Sequence, residues 1–204
     1  MRIVTGSAKG ARLAPVPDGV RPLSDRAREG LFSSLGPDVV FDAIVLDLFA
    51  GTGAVGIEAL SRGAARATFV ERSAQAGATI HRNLDITGLA ADAVVHTLDV
   101  ARFLAGAGRP GAGRPGAPFD LVFCDPPFDM AGSEVQPLLE ALTAGWVADQ
   151  GGTIVLTRGG RSSMPVIPVH WAVARELRYG DSLVLVIRPQ VPAGSQPEVL
   201  PENV

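Results

Sequence analysis

Val45-Leu46-Asp47-Leu48-Phe49-Ala50-Gly51-Thr52-Gly53-Ala54-Val55-Gly56 is the stretch that decides the fold class. A short apolar run feeds a loop whose glycines 51, 53 and 56 spell G-x-G-x-x-G, and an apolar helical stretch follows. Glycines so spaced let a strand turn sharply into a helix and let the backbone come close to a nucleotide-type ligand. A phosphate-binding P-loop does not fit, because Gly51 and Gly53 stand too close together and no Lys-Ser/Thr pair follows. Outward from this unit, strand-like and helix-like segments alternate: 44–48 and 54–62, 67–70 and 74–86, 93–97 and 100–104, 121–124 and 134–142, then 153–157. The strands are continuous apolar runs, as expected where helices cover both faces of a parallel sheet. Segments 171–178 and 182–188 flank Tyr179-Gly180-Asp181 with no room for a crossover helix, so they read as a hairpin closing the sheet. The expected fold is a doubly wound, Rossmann-like α/β sheet, mostly parallel, with a C-terminal antiparallel hairpin.

Ahead of it, residues 2–5 and 11–14 are short extended pieces around Gly6-Ser7-Ala8-Lys9-Gly10, and Pro15, Pro17, Gly19 and Pro22 then block a helix. Residues 1–22 read as a small basic β-hairpin arm and 23–188 as the main domain. Ser24 is the expected N-cap of a first helix whose stripe Ala27, Leu31, Phe32 and Leu35 ends at Gly36-Pro37. Gly30 inside that helix should cost about 0.5–1 kcal/mol relative to alanine. A tandem Gly/Pro repeat makes 106–117 a flexible surface insertion, and the proline-rich 189–204 reads as a loosely held tail.

With 204 residues and an apolar share of 47%, the chain fits one domain with an ordinary core. It shows neither the apolar stretch of a signal peptide nor the roughly 18 apolar residues of a membrane span. A cytoplasmic monomer without membrane contact is expected. Cys124, the one cysteine, has no disulfide partner and reads as buried and inert, and no metal site is expected. The net charge of −3 argues against a protein that coats nucleic acid all over, yet residues 1–36 carry +3 and the remainder −6. Arg2, Lys9, Arg12, Arg21, Arg26 and Arg28 are the candidate phosphate-facing residues, although a solvated face gives the same count. Arg62, Arg66 and Arg72 read as ordinary solvated cations, Arg72 standing also beside the cofactor acid Glu71.

The glycine pattern alone does not separate a dinucleotide from S-adenosylmethionine. Glu71 follows Gly51 by the twenty or so residues at which an acid ending the second strand accepts ribose hydroxyls, with a plain surface acid as the alternative. Asp47 hints at the methyl donor, because a carboxylate there suits a cationic amino-acid group and repels a pyrophosphate. Asp99 follows the third strand, where it can accept from an adenine amine or cap the helix beginning at Val100. The candidate cofactor residues are therefore Asp47, Phe49, Ala50, Gly51, Thr52, Gly53, Glu71, Arg72, Asp99 and Val100.

Asp125-Pro126-Pro127-Phe128 ends the fourth apolar run, beside the first strand, at the carboxyl edge where open α/β sheets bind ligands. The spelling alone would suit a bare turn; its position supplies the functional reading. A base's exocyclic amine is a poor nucleophile, because its lone pair is delocalised into the ring. The Asp125 carboxylate and the Pro126 carbonyl can each accept one amine hydrogen, leaving the lone pair aimed along the line of a sulfonium methyl. Pro126 and Pro127 fix the acceptors in advance, and Phe128 offers a face on which a base stacks. Such an in-line displacement needs no metal.

These residues resemble the class I S-adenosylmethionine-dependent methyltransferases, in the amino-methylating branch with an Asn/Asp-Pro-Pro-Tyr/Phe motif. Arg21-Pro22-Leu23-Ser24-Asp25-Arg26-Ala27-Arg28-Glu29-Gly30-Leu31-Phe32, the 47–53 loop with Gly56-Ile57-Glu58-Ala59-Leu60-Ser61-Arg62-Gly63-Ala64, and Phe119-Asp120-Leu121-Val122-Phe123-Cys124 before the Asp-Pro-Pro-Phe loop narrow the match. Together they closely resemble the bacterial RsmD-type 16S rRNA guanine-N2 methyltransferases over residues 1–188. The resemblance implies a Rossmann-like methyltransferase sheet with S-adenosyl-L-methionine as cofactor and S-adenosyl-L-homocysteine as product. It also implies methylation of guanine 966 (standard rRNA numbering) in an assembled or nearly assembled 30S subunit, where ribosomal proteins add contacts and the N-terminal arm grips rRNA. Leu23 stands where the family commonly has threonine, and the 106–117 repeat looks lineage-specific.

Two rivals keep the enzyme class but change the acceptor to adenine N6 in DNA or a glutamine amide; the chain has no separate target-recognition domain for the first. A nicotinamide-dependent oxidoreductase would use the same glycine loop but needs a proton donor, and His81, His96 and His170 each read as structural. A non-catalytic RNA-binding assembly factor is disfavoured by the intact acids Asp47, Glu71 and Asp125.

Overall fold

The computed structural model describes residues 1–16, 23–106 and 118–190. Arg21, the 107–117 part of the Gly/Pro insertion and the tail from 191 onward lie outside the described residues. Seven strands form one sheet: β1 (Ile44–Leu48), β2 (Arg66–Glu71), β3 (Ala93–Thr97), β4 (Leu121–Cys124), β5 (Thr153–Gly159), β6 (Trp171–Tyr179) and β7 (Ser182–Pro189). Their order is β3-β2-β1-β4-β5-β7-β6. The first five pair in parallel, and β7 and β6 join them antiparallel, as expected of the doubly wound sheet with a closing hairpin.

The helices are α1 (Asp25–Leu35), α2 (Pro37–Val40), α3 (Ala54–Ser61), α4 (Ala74–Thr87), α5 (Val100–Ala105) and α6 (Gly132–Thr143). Side chains cap several of them: Ser24 Oγ accepts from Ala27 N–H at 3.2 Å, Ser73 Oγ from Ala76 at 3.3 Å, and Asp99 Oδ1 from Arg102 at 3.1 Å. The short α2 was not legible, because Gly36-Pro37 reads as a stop. Pro37 instead stands at the first turn of a new helix, where its missing N–H costs nothing. Among the described residues, no helix is long and apolar enough to cross a membrane.

Strand alternation sorts the core into two layers. Val45, Leu121, Phe123 and Val155 pack with α1, α3 and α4 on one face, while Leu46, Leu48, Val122 and Ile154 pack with α5 and α6 on the other. Gly30 in α1 meets the sheet's far end: a Cβ there would lie 2.7 Å from the Tyr179 hydroxyl. The glycine leaves the room that the end of the Tyr179 ring occupies.

The N-terminal hairpin is no free arm. Ile3 N–H donates to Ala11 O at 3.0 Å and Gly10 N–H to Ile3 O at 2.9 Å, and Ile3 itself is 0% exposed within the first core layer. The buried Glu58 of α3 holds the hairpin by accepting from Val4 N–H at 2.8 Å and Thr5 N–H at 3.0 Å. The same carboxylate pairs with Arg62 Nε at 2.9 Å and lies 3.7 Å from Arg28 Nε. Two expectations fall here. Arg28 is not phosphate-facing: its 0% exposed guanidinium is spent on Asp25, the Arg2 carbonyl and Glu58. Arg62 is not a solvated cation, since it lies over the Phe32 ring at 4.7 Å as well as pairing with Glu58. Arg2, Lys9, Arg12 and Arg26 are exposed.

Removing Glu58 leaves two hairpin amides and the Arg62 Nε without their acceptor, and the buried Arg28 with one carboxylate neighbour fewer. Glu58→Ala is expected to cost about 3–5 kcal/mol, read as a lowered urea midpoint. A midpoint equal to wild type would show that the hairpin is held without this carboxylate.

Candidate active site

The chain order reverses between β1 and β4, neighbours in the sheet, and the loops leaving their carboxyl ends face each other across the gap. The loop leaving β1 alternates into left-handed backbone, with φ of 58° at Phe49, 55° at Gly51 and 73° at Gly53. Such a conformation at Phe49 costs on the order of 1–3 kcal/mol, so the surroundings must fix it. They do so through Gly53 N–H to Ala50 O at 2.7 Å, Ala50 N–H to Val70 O at 3.2 Å and Gly51 N–H to Glu71 Oε2 at 2.9 Å. A fourth tie comes from the fully buried Asn83 of α4. Its Nδ2 donates to Thr52 O at 2.8 Å while its Oδ1 accepts from Ala14 N–H at 2.7 Å, linking the glycine loop to the N-terminal hairpin.

Asp47, 3% exposed in β1, reaches the start of α3, where its Oδ2 accepts the Gly56 N–H at 2.9 Å. Gly56 permits this approach: a Cβ there would lie 2.4 Å from the Phe69 ring and 3.0 Å from Asp47 Oδ2. Burial pushes the Asp47 carboxyl up to about 8; the Gly56 hydrogen bond opposes the rise, and the nearby Asp125 and Glu71 add to it. This acid is set to receive a cation. In a dinucleotide fold the amides opening this helix bind pyrophosphate, whereas here one of them is occupied by the protein's own acid. The geometry therefore disfavours the nicotinamide alternative on grounds the glycine spelling did not supply.

Across the gap Asp125 extends β4, its N–H donating to Leu48 O at 3.4 Å. Burial pushes its carboxyl up to about 7 against a hydrogen bond from Thr157 on the neighbouring β5. Pro126 is buried, Phe128 half-buried and Pro127 exposed. The preceding thiol, Cys124, is buried and pushed up to about 12, first by burial and then by Asp125, which leaves it inert.

A cleft of about 550 Å³ joins the two loops. Asp47, Phe49, Ala50, Gly51, Thr52, Glu71, Arg72, Asp99 and Val100 line it together with Asp125, Pro126, Pro127 and Phe128. Of the sequence-derived cofactor and catalytic candidates only Gly53 stands behind the wall, where it begins α3. Leu23, Ala54, Val55, Ser73 and Asp129 also line the cleft and were not foreseen. Glu71 carries two roles, since its Oε1 accepts from Ser73 N–H at 2.8 Å while the other oxygen holds Gly51. Asp99 both caps α5 and lines the cleft. His81, His96 and His170 do not line the cleft; His96 packs on Phe103 with ring centroids 5.1 Å apart. Among the described residues no cluster of His, Cys, Asp or Glu is arranged to hold a metal.

The profile of the family described as conserved hypothetical protein 95 matches residues 1–188. Ribosomal RNA small subunit methyltransferase D of Escherichia coli K12 is 40% identical over 179 residues, which cover 86% of this chain and 83% of that protein. A solved Escherichia coli structure, provisionally named a methyltransferase, superposes with a TM-score of 0.78 at 36% identity, covering 93% of this chain and 98% of that one. A hypothetical protein from Thermus thermophilus gives a TM-score of 0.73 at 32% identity, covering 92% and 99%. With the glycine loop and the Asp-Pro-Pro-Phe loop sharing one cleft, these similarities show that the chain belongs to the ribosomal RNA small subunit methyltransferase D family.

Proposed function

We propose that this protein transfers the methyl group of S-adenosyl-L-methionine to the exocyclic N2 of a guanine in 16S rRNA, releasing S-adenosyl-L-homocysteine. The target in this reading is guanine 966 (standard rRNA numbering) within an assembled or nearly assembled 30S subunit, with ribosomal proteins adding contacts. The protein acts as a cytoplasmic monomer. The observation that carries the proposal is the single cleft shared by a cation-seeking Asp47 and the Asp125-Pro126-Pro127-Phe128 loop. An rRNA substrate is favoured over DNA adenine or a glutamine amide by the 40% identical relative, whose name specifies small-subunit rRNA.

The cleft residues fit the cofactor. Asp47 would hold the amino end, Glu71 has lone pairs left beside Gly51 and Ser73 for ribose hydroxyls, and Asp99 keeps Oδ2 for an adenine amine. The bound cofactor supplies an electrophilic methyl on a sulfonium, so the reaction is a displacement at carbon. The protein's part is to hold the guanine amine. Asp125 accepts one amine hydrogen and the Pro126 carbonyl the other, which draws the lone pair out of conjugation and aims it. Methylation makes that nitrogen strongly acidic, so a carboxylate pushed up to about 7 suffices to take its proton. Phe128 provides the stacking face. The exposed Arg2, Lys9, Arg12 and Arg26 are the candidates that neutralise phosphates, and Arg21, outside the described residues, is a fifth from the sequence.

The central test is tritium transfer from labelled methyl donor to undermethylated 30S particles, naked 16S rRNA, DNA and protein, followed by nucleoside analysis. Label in N2-methylguanine from 30S particles supports the proposal; label only in DNA or protein refutes it. Asp125→Ala is expected to lose at least about a hundredfold in turnover while keeping cofactor affinity, whereas Glu71→Ala should chiefly weaken the cofactor. Wild-type turnover in Asp125→Ala would remove the amine clamp.

Cofactor binding should also move a proton. A cation beside Asp47 favours the charged carboxylate and lowers its value from about 8, so binding at pH 7 releases a proton. Titration calorimetry in buffers of different ionisation heat reads that release. It should vanish in Asp47→Asn, and an apparent heat independent of buffer in the wild type would contradict the assignment. Replacing Arg2, Lys9 and Arg12 together by alanine is expected to weaken 30S binding and flatten its salt dependence. Unchanged affinity would move the RNA surface elsewhere.

A further inference from the structure

The Asp-Pro-Pro-Phe loop is braced from behind by the end of β5 and the turn after it, groups with no part in the chemistry above. Ser162 Oγ donates to the Phe128 carbonyl at 2.6 Å. Ser162 N–H in turn donates to Gly159 O at 2.9 Å, which closes the turn. Gly159 is where the aromatic ring finds room, since a Cβ there would lie 2.9 Å from Phe128 Cγ and 2.9 Å from Ser162 Oγ. Arg158, fully buried, ties the same two segments: its Nη2 donates to Met130 O at 2.6 Å and Ser163 O at 3.0 Å. Gly132 N–H completes the brace by donating to Ser163 Oγ at 2.8 Å.

These contacts divide the labour within the loop. Pro126 and Pro127 restrict the backbone ahead of the aromatic residue, but neither controls the ring or the backbone beyond it. Position 128 is fixed by Ser162 at its carbonyl and by the absence of a side chain at Gly159 beside its ring. A planar base can stack productively only on a ring held at one tilt and depth, because misplacement by a fraction of an ångström displaces the amine from its acceptors.

We propose that Ser162 and Gly159 are positioning residues that set the Phe128 ring as the platform for the target base, and so govern capture of the nucleotide. The inference rests on the reading of Phe128 as that platform and adds the groups that hold it. Neither residue touches substrate. Their effect passes through Phe128 and leaves the Asp47 side of the cleft alone.

The test is a double-mutant cycle on undermethylated 30S particles, with cofactor affinity and thermal unfolding measured on every variant. Ser162→Ala is expected to raise KM for the particle about fivefold with cofactor affinity unchanged, and to lower the unfolding temperature by no more than about 2–4 °C, what the loss of one hydrogen bond costs. Ser162→Thr, which retains the hydroxyl, should restore KM. Gly159→Ala should raise KM further by displacing the ring. In a Phe128→Ala background, Ser162→Ala should have no added effect, because the ring it positions is gone. An impaired Phe128→Ala beside an unaltered Ser162→Ala overturns the positioning role, as does additivity of the two. A KM effect accompanied by lost cofactor affinity, or one that Ser162→Thr fails to restore, overturns it too, marking local loosening instead. Wild-type behaviour of Phe128→Ala sinks the platform reading itself, an outcome separate from the others.

Discussion

The buried hydrogen bond from Gly56 N–H to Asp47 is the constraint on which the site depends. A carboxyl group removed from water at the end of a central strand is costly unless it is paired. Here the pairing partner is the opening of α3, so the acid joins strand to helix across the glycine loop. The arrangement has two consequences. It occupies the amide position that would otherwise attract a phosphate, and it leaves an acid whose proton is lost readily only when a cation arrives. The place and the charge state of this cleft acid are thus set by the fold's own cap.

The opposite wall owes its geometry to the sheet. Parallel pairing of β1 with β4 aligns Leu48 with Cys124, so the residues that follow each strand leave the sheet side by side. Asp125 and the glycine loop are brought together by this register rather than by long flexible loops. Positions fixed by strand ends suit a displacement reaction, where the enzyme gains most from holding two reactants in line. The N-terminal hairpin shares in this rigidity. Asn83 binds both Ala14 and Thr52, so the basic segment and the cofactor loop hang on one amide side chain.

Much of this was legible in the chain because the strongest signals are local. Continuous apolar runs and glycine spacing announce parallel strands and a strand-to-helix turn, and the 44–48 and 121–124 segments were placed to the residue. What escaped depends on contacts distant in sequence. Arg28 counts as a surface charge until its pairing with Glu58, thirty residues on, is seen, and Arg62 misled because the Phe32 ring beneath it lies thirty residues back, although its pairing with Glu58 is local. Asn83 reads as a polar residue of a helix, with no periodicity to mark it as the tie between hairpin and loop. Gly30 looked like a weakness in α1 because Tyr179, its reason, lies at the other end of the chain. Leu23 lines the cleft from just ahead of α1, far in sequence from the two loops, while Ser73 does so as the residue after Glu71 and Arg72.

The charge distribution follows the same division between local and distant. A chain of net charge −3 is poorly suited to grip RNA on every side, and it need not do so. Burial of Arg28 removes one cation from the N-terminal count, but Arg2, Lys9 and Arg12 remain exposed on a hairpin docked against α3 and the start of α1, and Arg26 remains exposed on α1 itself. Docking changes what those charges can do. On a loose arm they would hold no fixed position, whereas on a hairpin clamped by Glu58 Arg2, Lys9 and Arg12 are held in place against α3. The buried acid that holds the hairpin thereby also fixes the placement of the exposed cations on it.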